Sequence, residues 1–166
     1  MIRVEEVNER KSLKDFIDFP FQLYQNAPYW IPPIKKSEQA SLSPRTNPAF
    51  EHSDVKIWLA REDGKVRGRM VGLINQLETD FREEKHARFG WLEFADDPLV
   101  TDALFQTFES WARSQGAVLM KGPMGFSNMD AAGMTVEGFD ELGTLSGIFN
   151  YPYYQSHMER LGFEKM

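Results

Sequence analysis

The amino-acid sequence predicts an α/β domain in which helices flank a mixed β-sheet. Two β-patterned runs, residues 54–61 and 65–76, are joined by a Glu-Asp-Gly sequence typical of a hairpin turn, so they form an antiparallel pair. Further along, residues 88–121 read as an apolar run, an amphipathic helix and a second apolar run. This order indicates a strand–helix–strand unit with parallel strands. A sheet that contains both kinds of pairing is mixed.

Length and composition are those of one ordinary globular domain. The chain has 166 residues, with 42% hydrophobic and 27% charged, which is enough to bury a substantial core, so we expect a single domain over residues 1–166. A formal charge of -6 argues against a protein that coats nucleic acid, because such proteins carry a basic excess. Without cysteine there is no disulfide or thiol nucleophile, and the scattered histidines lack metal-ligand spacing, so no metal is predicted.

No stretch of the sequence resembles a targeting or membrane-spanning segment. The opening MIRVEE is not a signal peptide, and no apolar run approaches the roughly 20 residues that span a bilayer. We therefore expect a cytoplasmic protein without a transmembrane segment, and contact with a membrane surface stays open.

The first third of the chain predicts a strand, a helix and a proline-rich arm. Residues 1–7 form a short strand, and a helix begins at Asn8 and Glu9 and stops at Pro20. Prolines then rule out a long regular element up to residue 44, although the segment is rich in aromatic residues. We expect a short helix or turn followed by an arm laid over the core. Its aromatic side chains either pack under a long loop or form a ligand-binding lid.

The second strand of the hairpin contains two glycines, and a polar segment follows it. Gly68 and Gly72 lie four residues apart on one face of the second strand, where either a helix or a ligand approaches closely. Residues 75–87 are polar and predict an exposed excursion between strands.

The most informative stretch is residues 88–116, a buried strand followed at once by a helix. Asp97 and Pro98 form a typical helix start, because the aspartate accepts free amide protons and proline at the first helical position loses no needed donor. Gly116 ends the helix. Tight connections from a strand to a helix often hold a phosphate, so this turn is a candidate anion site.

The last third predicts a strand, a long loop and a helix. Residues 117–121 form a short buried strand, and residues 122–147 form a long loop rich in glycine and methionine, of the kind that often carries function. A final helix covers residues 153–161, and residues 163–166 begin another strand.

The order of these elements resembles the GCN5-related N-acetyltransferase (GNAT) superfamily. Two local sequences carry the resemblance: VKIWLAREDGKVRGRMVGLIN is similar to its second and third strands, and YYQSHMERLGFEKM to its late helix ending in Gly-Phe. The segments FPFQLYQNAPYWIPP, NPAFEHSDVKIWLA, KGPMGFSNMDAAGMTVEGF and NYPYYQSHMERLGF resemble a bacterial subgroup of acyl-CoA N-acyltransferase-like proteins, some of them linked to ceramide synthesis. Against this fold the chain lacks the last strand or strands, so we expect a truncated domain.

The resemblance implies a cofactor and its place. The superfamily holds an acyl-CoA, here acetyl-CoA or a longer acyl-CoA, with the pyrophosphate at the amino end of the main helix and the pantetheine arm between the fourth and fifth strands. An amine then attacks the thioester carbonyl. Transferred to this sequence, the implied cofactor-binding residues are the following: Phe94, Asp97, Leu99, Val100 and Thr101.

The sequence departs from the superfamily pattern at this turn. Residues 95–100 contain no glycine, two carboxylates at Asp96 and Asp97 repel a pyrophosphate, and Pro98 lacks an amide donor. Met158 stands where many members place a tyrosine that protonates the leaving thiolate. We therefore expect a preserved scaffold whose cofactor site is either rebuilt from other residues or lost.

Glu93 is the candidate general base. A carboxylate within an aromatic strand holds a proton more strongly when it is desolvated, although an ion pair with Arg67, Arg69 or Arg88 explains Glu93 equally well. Tyr153 and Tyr154 lie one turn before Met158 and are the candidates for a place near the thioester.

Three further polar residues are candidate substrate contacts. Asn75 ends the strand that points toward this region in the superfamily, and Asn128 and Asp130 lie in the long loop. The loop pair fits a capped turn as well.

Two functions fit the sequence. The first is an acyl-CoA dependent N-acyltransferase that acts on a small-molecule or lipid amine. The alternative is a noncatalytic GNAT-fold module for binding or assembly that has lost the pyrophosphate site. An unpaired sheet edge would also allow a homodimer.

Overall fold

The computed structural model describes residues 1–144 and 147–165, and it confirms the predicted mixed α/β fold. Across this part of the chain, five strands form one sheet in the order β1-β2-β3-β4-β5. The first four strands pair antiparallel, and β4 and β5 pair parallel. The strands are β1 (Arg3–Glu6), β2 (Ser53–Glu62), β3 (Lys65–Asn75), β4 (His86–Phe94) and β5 (Leu119–Lys121).

Helices pack on both faces of this sheet. They are α1 (Arg10–Leu23), α2 (Lys35–Ser41), α3 (Gln76–Arg82), α4 (Pro98–Ser114) and α5 (Tyr153–Arg160), with a 3-10 turn at Pro48–His52. Within the described residues, no helix is both long and apolar enough to cross a membrane.

One predicted boundary is wrong. Helix α1 continues through Pro20 to Leu23 instead of stopping at the proline, because a buried arginine donates to the Phe16 carbonyl oxygen in place of the amide that proline lacks. The expected excursion at residues 75–87 lies between two strands and is largely exposed, and it contains α3 and the first residues of β4. A half-buried ion cluster holds α3 against the sheet.

The core has two layers because side chains alternate across the strands. Trp58 and Met70 face the larger cluster, which α4 covers, whereas their neighbours Leu59 and Val71 face a smaller cluster under α1. The larger cluster includes the following buried residues of α4: Val100, Leu104, Phe105, Phe108 and Ala112. Helix α4 therefore anchors one face of the sheet, as its predicted apolar stripe requires.

Close packing against α4 explains the paired glycines of β3. A Cβ atom at Gly68 would lie 2.8 Å from Val100 Cγ1, and one at Gly72 would lie 2.7 Å from Trp58 Cζ3 and 3.0 Å from Phe108 Cδ2. Of the two explanations open from the sequence, the approaching group is thus a helix.

Strand β4 contains a bulge at Trp91. Gly90 pairs with Val71 and Glu93 pairs with Arg69, so two residues of β4 stand opposite the single residue Met70. Trp91 has φ 46°, a left-handed conformation that costs a bulky residue about 1–3 kcal/mol. Such strain is characteristic of functional segments, which directs attention to the face of β4 that the bulge presents.

Replacing Gly72 by alanine is expected to destabilise the fold by about 1–3 kcal/mol, because the added methyl group overlaps ring atoms of Trp58 and Phe108. Urea denaturation measures the effect. Gly143→Ala is the matched control, since a Cβ atom there has open space around it, and it should change stability by less than about 0.5 kcal/mol. Equal stability of the two variants would contradict this packing.

Candidate functional site

A cavity of about 740 Å³ opens between the proline-rich arm, the β4 bulge and the loop after β5. Its walls combine aromatic and apolar side chains with carboxylates. The lining residues that matter most are Tyr29, Trp30, Glu38, Arg69, Trp91, Glu93, Asp130, Met134, Phe149 and Tyr154. The size is within the range of sites for small molecules.

Arg69 is buried and lies at the floor of this cavity. Its Nε donates to Glu93 Oε2 at 2.5 Å, and its NH1 donates to the carbonyl oxygen of Phe16 at 2.9 Å. That carbonyl would normally accept from the amide four residues later, but Pro20 has no amide hydrogen. The guanidinium also lies 4.7 Å from the centre of the Phe16 ring. Arg69 therefore links α1 to β4 and makes the proline inside α1 tolerable.

Glu93, the predicted general base, lies on the cavity wall and is ion-paired with Arg69. The ion pair was the alternative explanation open from the sequence, and Arg69 is its partner. The two side chains form a charge-assisted hydrogen bond. The role of Glu93 as a base stays a prediction.

Glu38 is a cavity carboxylate that sequence reasoning missed. Trp91 Nε1 donates to Glu38 Oε2 at 2.9 Å, so the side chain at the bulge holds a carboxylate on α2. Burial raises the pKa of Glu38, Arg69 opposes that rise, and the charges of Glu93 and Asp130 add to it. In the sequence, Glu38 follows two lysines in a short polar helix, which gives no sign that it faces a cavity.

The predicted tyrosines of α5 meet the end of β4. Tyr153 donates from its hydroxyl to the carbonyl oxygen of Phe94 at 2.6 Å, and the Phe94 amide donates to the Tyr154 hydroxyl at 3.1 Å. The hydroxyls of Tyr154 and Tyr24 lie 3.0 Å apart. Burial raises the pKa of each of these three phenols, so they remain neutral at physiological pH. Both backbone polar groups of Phe94, a predicted cofactor contact, are thus engaged by α5.

The start of α4 is capped by its own residues. Leu99 donates its amide to Asp97 Oδ1 at 2.9 Å, and Val100 donates its amide to the Asp97 carbonyl oxygen at 3.1 Å. Leu99 is exposed, whereas Val100 is buried against Gly68.

Helix α5 closes the same turn from the other side. His157 places Nε2 2.9 Å from Asp96 Oδ1 and Nδ1 3.1 Å from Thr101 Oγ1. Arg160 donates to the same threonine oxygen at 2.9 Å and pairs with Asp102. With two carboxylates at the turn and the amides of Leu99 and Val100 engaged, these residues do not fit a CoA pyrophosphate.

The three predicted substrate contacts are dispersed. Asn75 caps α3 by accepting from the Glu78 amide at 3.2 Å, and Asn128 is exposed in the loop. Asp130 accepts from the Ser127 amide at 2.9 Å, as a turn cap does, and it also lies on the cavity wall. Their roles toward a substrate stay predictions.

A second feature that sequence reasoning missed is a half-buried ion cluster around Glu78. Arg88 donates to Glu78 Oε2 from NH2 at 2.7 Å, and Lys121 donates to Glu78 Oε1. Burial alone would raise the pKa of Glu78, but the bonds from Lys121 and Arg88 outweigh it and hold the pKa at about 2. Arg88 NH1 also donates to the carbonyl oxygens of Gly125 and Phe126. The cluster therefore fixes the start of the loop that encloses the cavity.

This architecture is that of the GNAT acetyltransferases, and solved structures of that class superpose on the chain. A tandem GNAT protein from the clavulanic acid biosynthesis pathway matches with a TM-score of 0.63 and 16% identity, covering 98% of this chain and 43% of that chain. A predicted acetyltransferase with acetyl-CoA from Clostridium acetobutylicum matches with a TM-score of 0.60 and 7% identity, covering 100% and 92%. AAC(6')-Iy in complex with a bisubstrate analogue matches with a TM-score of 0.58 and 13% identity, covering 99% and 92%.

The chain has the GNAT fold, as the resemblance predicted. Two curated relatives are similar in sequence. Protein YghO of Escherichia coli K12 is 35% identical over 156 residues, which are 94% of this chain and 40% of that protein. The bacterial ceramide synthase of Caulobacter vibrioides is 36% identical over 142 residues, 84% of this chain and 36% of that protein. The chain thus spans less than half the length of these relatives, and the second name agrees with the predicted ceramide-linked subgroup. No protein-family model matches the chain.

Replacing Arg69 by methionine should destabilise the protein by about 3–5 kcal/mol, because Glu93 and the Phe16 carbonyl both lose a buried partner. Pro20→Ala supplies an amide that can donate to the Phe16 carbonyl oxygen. Its effect on the free energy of unfolding should therefore be about 1 kcal/mol more favourable in the Arg69→Met variant than in the native protein. A double-mutant cycle of urea denaturation measures this coupling. If Pro20→Ala has the same effect in both backgrounds, the link between the two residues is wrong.

The Glu78 cluster predicts a specific acid dependence. Because the folded pKa of about 2 lies below the ordinary value of 4.5, ionised Glu78 stabilises the fold above pH 4.5, and this contribution is lost as the pH falls toward 2. Comparing the free energy of unfolding of the native protein with that of Glu78→Gln over this range isolates the effect. The difference should shrink as the pH falls, whereas a constant difference would contradict the assignment.

Proposed function

We propose that this chain is the amine-binding unit of an N-acyltransferase, which passes an acyl group from a CoA thioester to an amine held in the cavity. The observation that carries the proposal is the composition of the cavity walls. Carboxylates of Glu38, Glu93 and Asp130 stand beside indole and phenol rings, so the site favours a cation attached to an apolar body. A primary amine, protonated in water, has this chemistry.

The acceptor we propose is a lipid amine or another amine with an apolar chain. In support, the walls of the cavity include Trp30, Met134 and Phe149, which offer an alkyl chain a surface away from water. The relative named bacterial ceramide synthase agrees with this choice, because ceramide forms when a fatty acyl group is joined to a long-chain amine.

The acyl donor of the proposed reaction is acetyl-CoA or a longer acyl-CoA, held away from the start of α4. Asp96, Asp97 and Pro98 oppose an anion at that turn. The tandem GNAT protein and the longer curated relatives support a design in which one GNAT-like unit, here residues 1–166, works beside other parts of a longer protein.

The sheet itself offers a place for such an assembly. Among the described residues β5 pairs with β4 alone, and we propose that its other edge is extended by further strands or by a second copy of the chain.

The second candidate function is a noncatalytic module for binding or assembly. The specific observation that favours it is that Tyr153 and Tyr154 engage both backbone polar groups of Phe94. Those groups at the end of β4 are therefore not free to bind a cofactor. Under this candidate Glu93 serves the fold through Arg69 and has no part in proton transfer.

Titrations with small ligands test the primary proposal. Octylamine should quench tryptophan fluorescence, since Trp30 and Trp91 line the cavity, and octanoate should bind about tenfold more weakly or worse, because it faces the same carboxylates. Equal affinity for the two ligands, or no response to octylamine, would reject the amine site.

Calorimetry with acetyl-CoA and a long-chain acyl-CoA tests the donor. Saturable binding that changes in an Asp97→Ala variant would contradict the proposal that the donor is held away from the start of α4.

A further inference from the structure

The carboxylates that line the cavity differ in their ion-pair and hydrogen-bond partners. Glu93 is paired with buried Arg69, and Asp130 accepts from the Ser127 amide in a turn. Glu137 and Glu141 are exposed to solvent. Glu38 is partly buried on the wall, and within residues 1–144 and 147–165 it forms no ion pair with a cation. Of these carboxylates, a partly buried one without an ion pair is stabilised most by an incoming ammonium group.

The hydrogen bond from Trp91 also orients Glu38. It occupies Oε2 and comes from a neutral indole, so it positions the carboxylate without neutralising its charge. In the described part of the chain, Oε1 accepts no hydrogen bond, and it can therefore receive an N–H from a ligand. Trp91 adopts its left-handed conformation at the β4 bulge, so the strained segment of the sheet is the one that holds this carboxylate.

We propose that Glu38 is the residue that binds the ammonium group of the acceptor amine in the cavity and takes its proton. This inference rests on the function proposed above and names the residue that performs it. In the step, one N–H bond of the ammonium breaks and the proton moves to a carboxylate oxygen of Glu38. The products are a neutral amine with a free electron pair and a neutral carboxylic acid. The amine needs that pair for any attack on an acyl group.

The surroundings of Glu38 suit this transfer. Burial raises its pKa, which brings the proton affinity of the carboxylate closer to that of an amine. Trp30 and Trp91 line the same cavity, and aromatic rings attract a cation before the proton leaves. Tyr29 and Ile31 lie on the same arm as α2 and also line the cavity, so the arm contributes both the charged group and part of the apolar wall.

A charge-specific binding experiment tests the proposal. Glu38→Gln keeps an oxygen that accepts from the Trp91 indole and removes the charge. Fluorescence titrations at neutral pH compare octylamine with 1-octanol, which has the same chain and no charge. We expect the variant to lose about tenfold in affinity for octylamine and to bind 1-octanol within about twofold of the native protein. Glu141→Gln, which removes an exposed carboxylate at the same cavity, is the matched control and should alter octylamine binding by less than about threefold.

The outcomes separate this inference from the proposal on which it rests. If native protein binds octylamine and Glu38→Gln binds it equally well, Glu38 is not the amine-binding residue, whereas the amine-binding cavity stands. If the variant loses octylamine and 1-octanol to the same extent, its role is structural and the inference is also overturned. If native protein binds neither ligand, the proposed function itself fails. Thermal denaturation of the variant confirms that it is folded in each case.

Discussion

The buried guanidinium of Arg69 is the interaction on which the site depends. Proline inside α1 leaves the Phe16 carbonyl without its helical donor, and an unpaired buried carbonyl costs about 1–3 kcal/mol. Arg69 supplies that donor and pairs with Glu93, so one side chain joins the helix above the sheet to the strand that lines the cavity. The charge of Arg69 is itself acceptable in the interior because Glu93 balances it. Removing Arg69 or Glu93 would leave the other charge without its partner in the interior, which destabilises the fold.

The connection from β4 to α4 illustrates a conflict between stability and anion binding. A helix start attracts a phosphate because its first amides are unpaired. Here Asp97 and Pro98 give the helix a strong start, and the residues of α5 hold Asp96 and Thr101 in place. The Asp97 side chain that caps the helix accepts from the Leu99 amide, so that amide is not free to bind an anion. The chain has the GNAT fold, while the start of α4 is occupied by contacts among its own residues.

A cavity lies instead beside the β4 bulge. The bulge places Trp91 in a conformation that a bulky residue rarely adopts, and its indole reaches Glu38 on the arm. The ion cluster of Glu78, Arg88 and Lys121 holds the facing loop. Three separate parts of the chain thus enclose one cavity, and each is held there by a polar contact that is shielded from water. Aromatic residues of the arm both line this cavity and pack against other rings, as Trp30 does against Phe21.

By itself, the sequence determined the fold class, the hairpin, the parallel strand–helix–strand unit and the capped start of α4, because these depend on patterns among neighbouring residues. It also predicted Glu93 as a base and an unfavourable anion site at Asp96 and Asp97, and both stay predictions. The continuation of α1 past Pro20 could have been anticipated from the apolar spacing of Phe16, Phe19 and Tyr24. Tertiary structure alone decided the choice of Arg69 as the partner of Glu93, the Glu78 cluster and the meeting of Glu38 with Trp91. Those contacts join residues 10 to 53 positions apart, and their energy comes from shielding charges and hydrogen bonds from water, which no local pattern encodes.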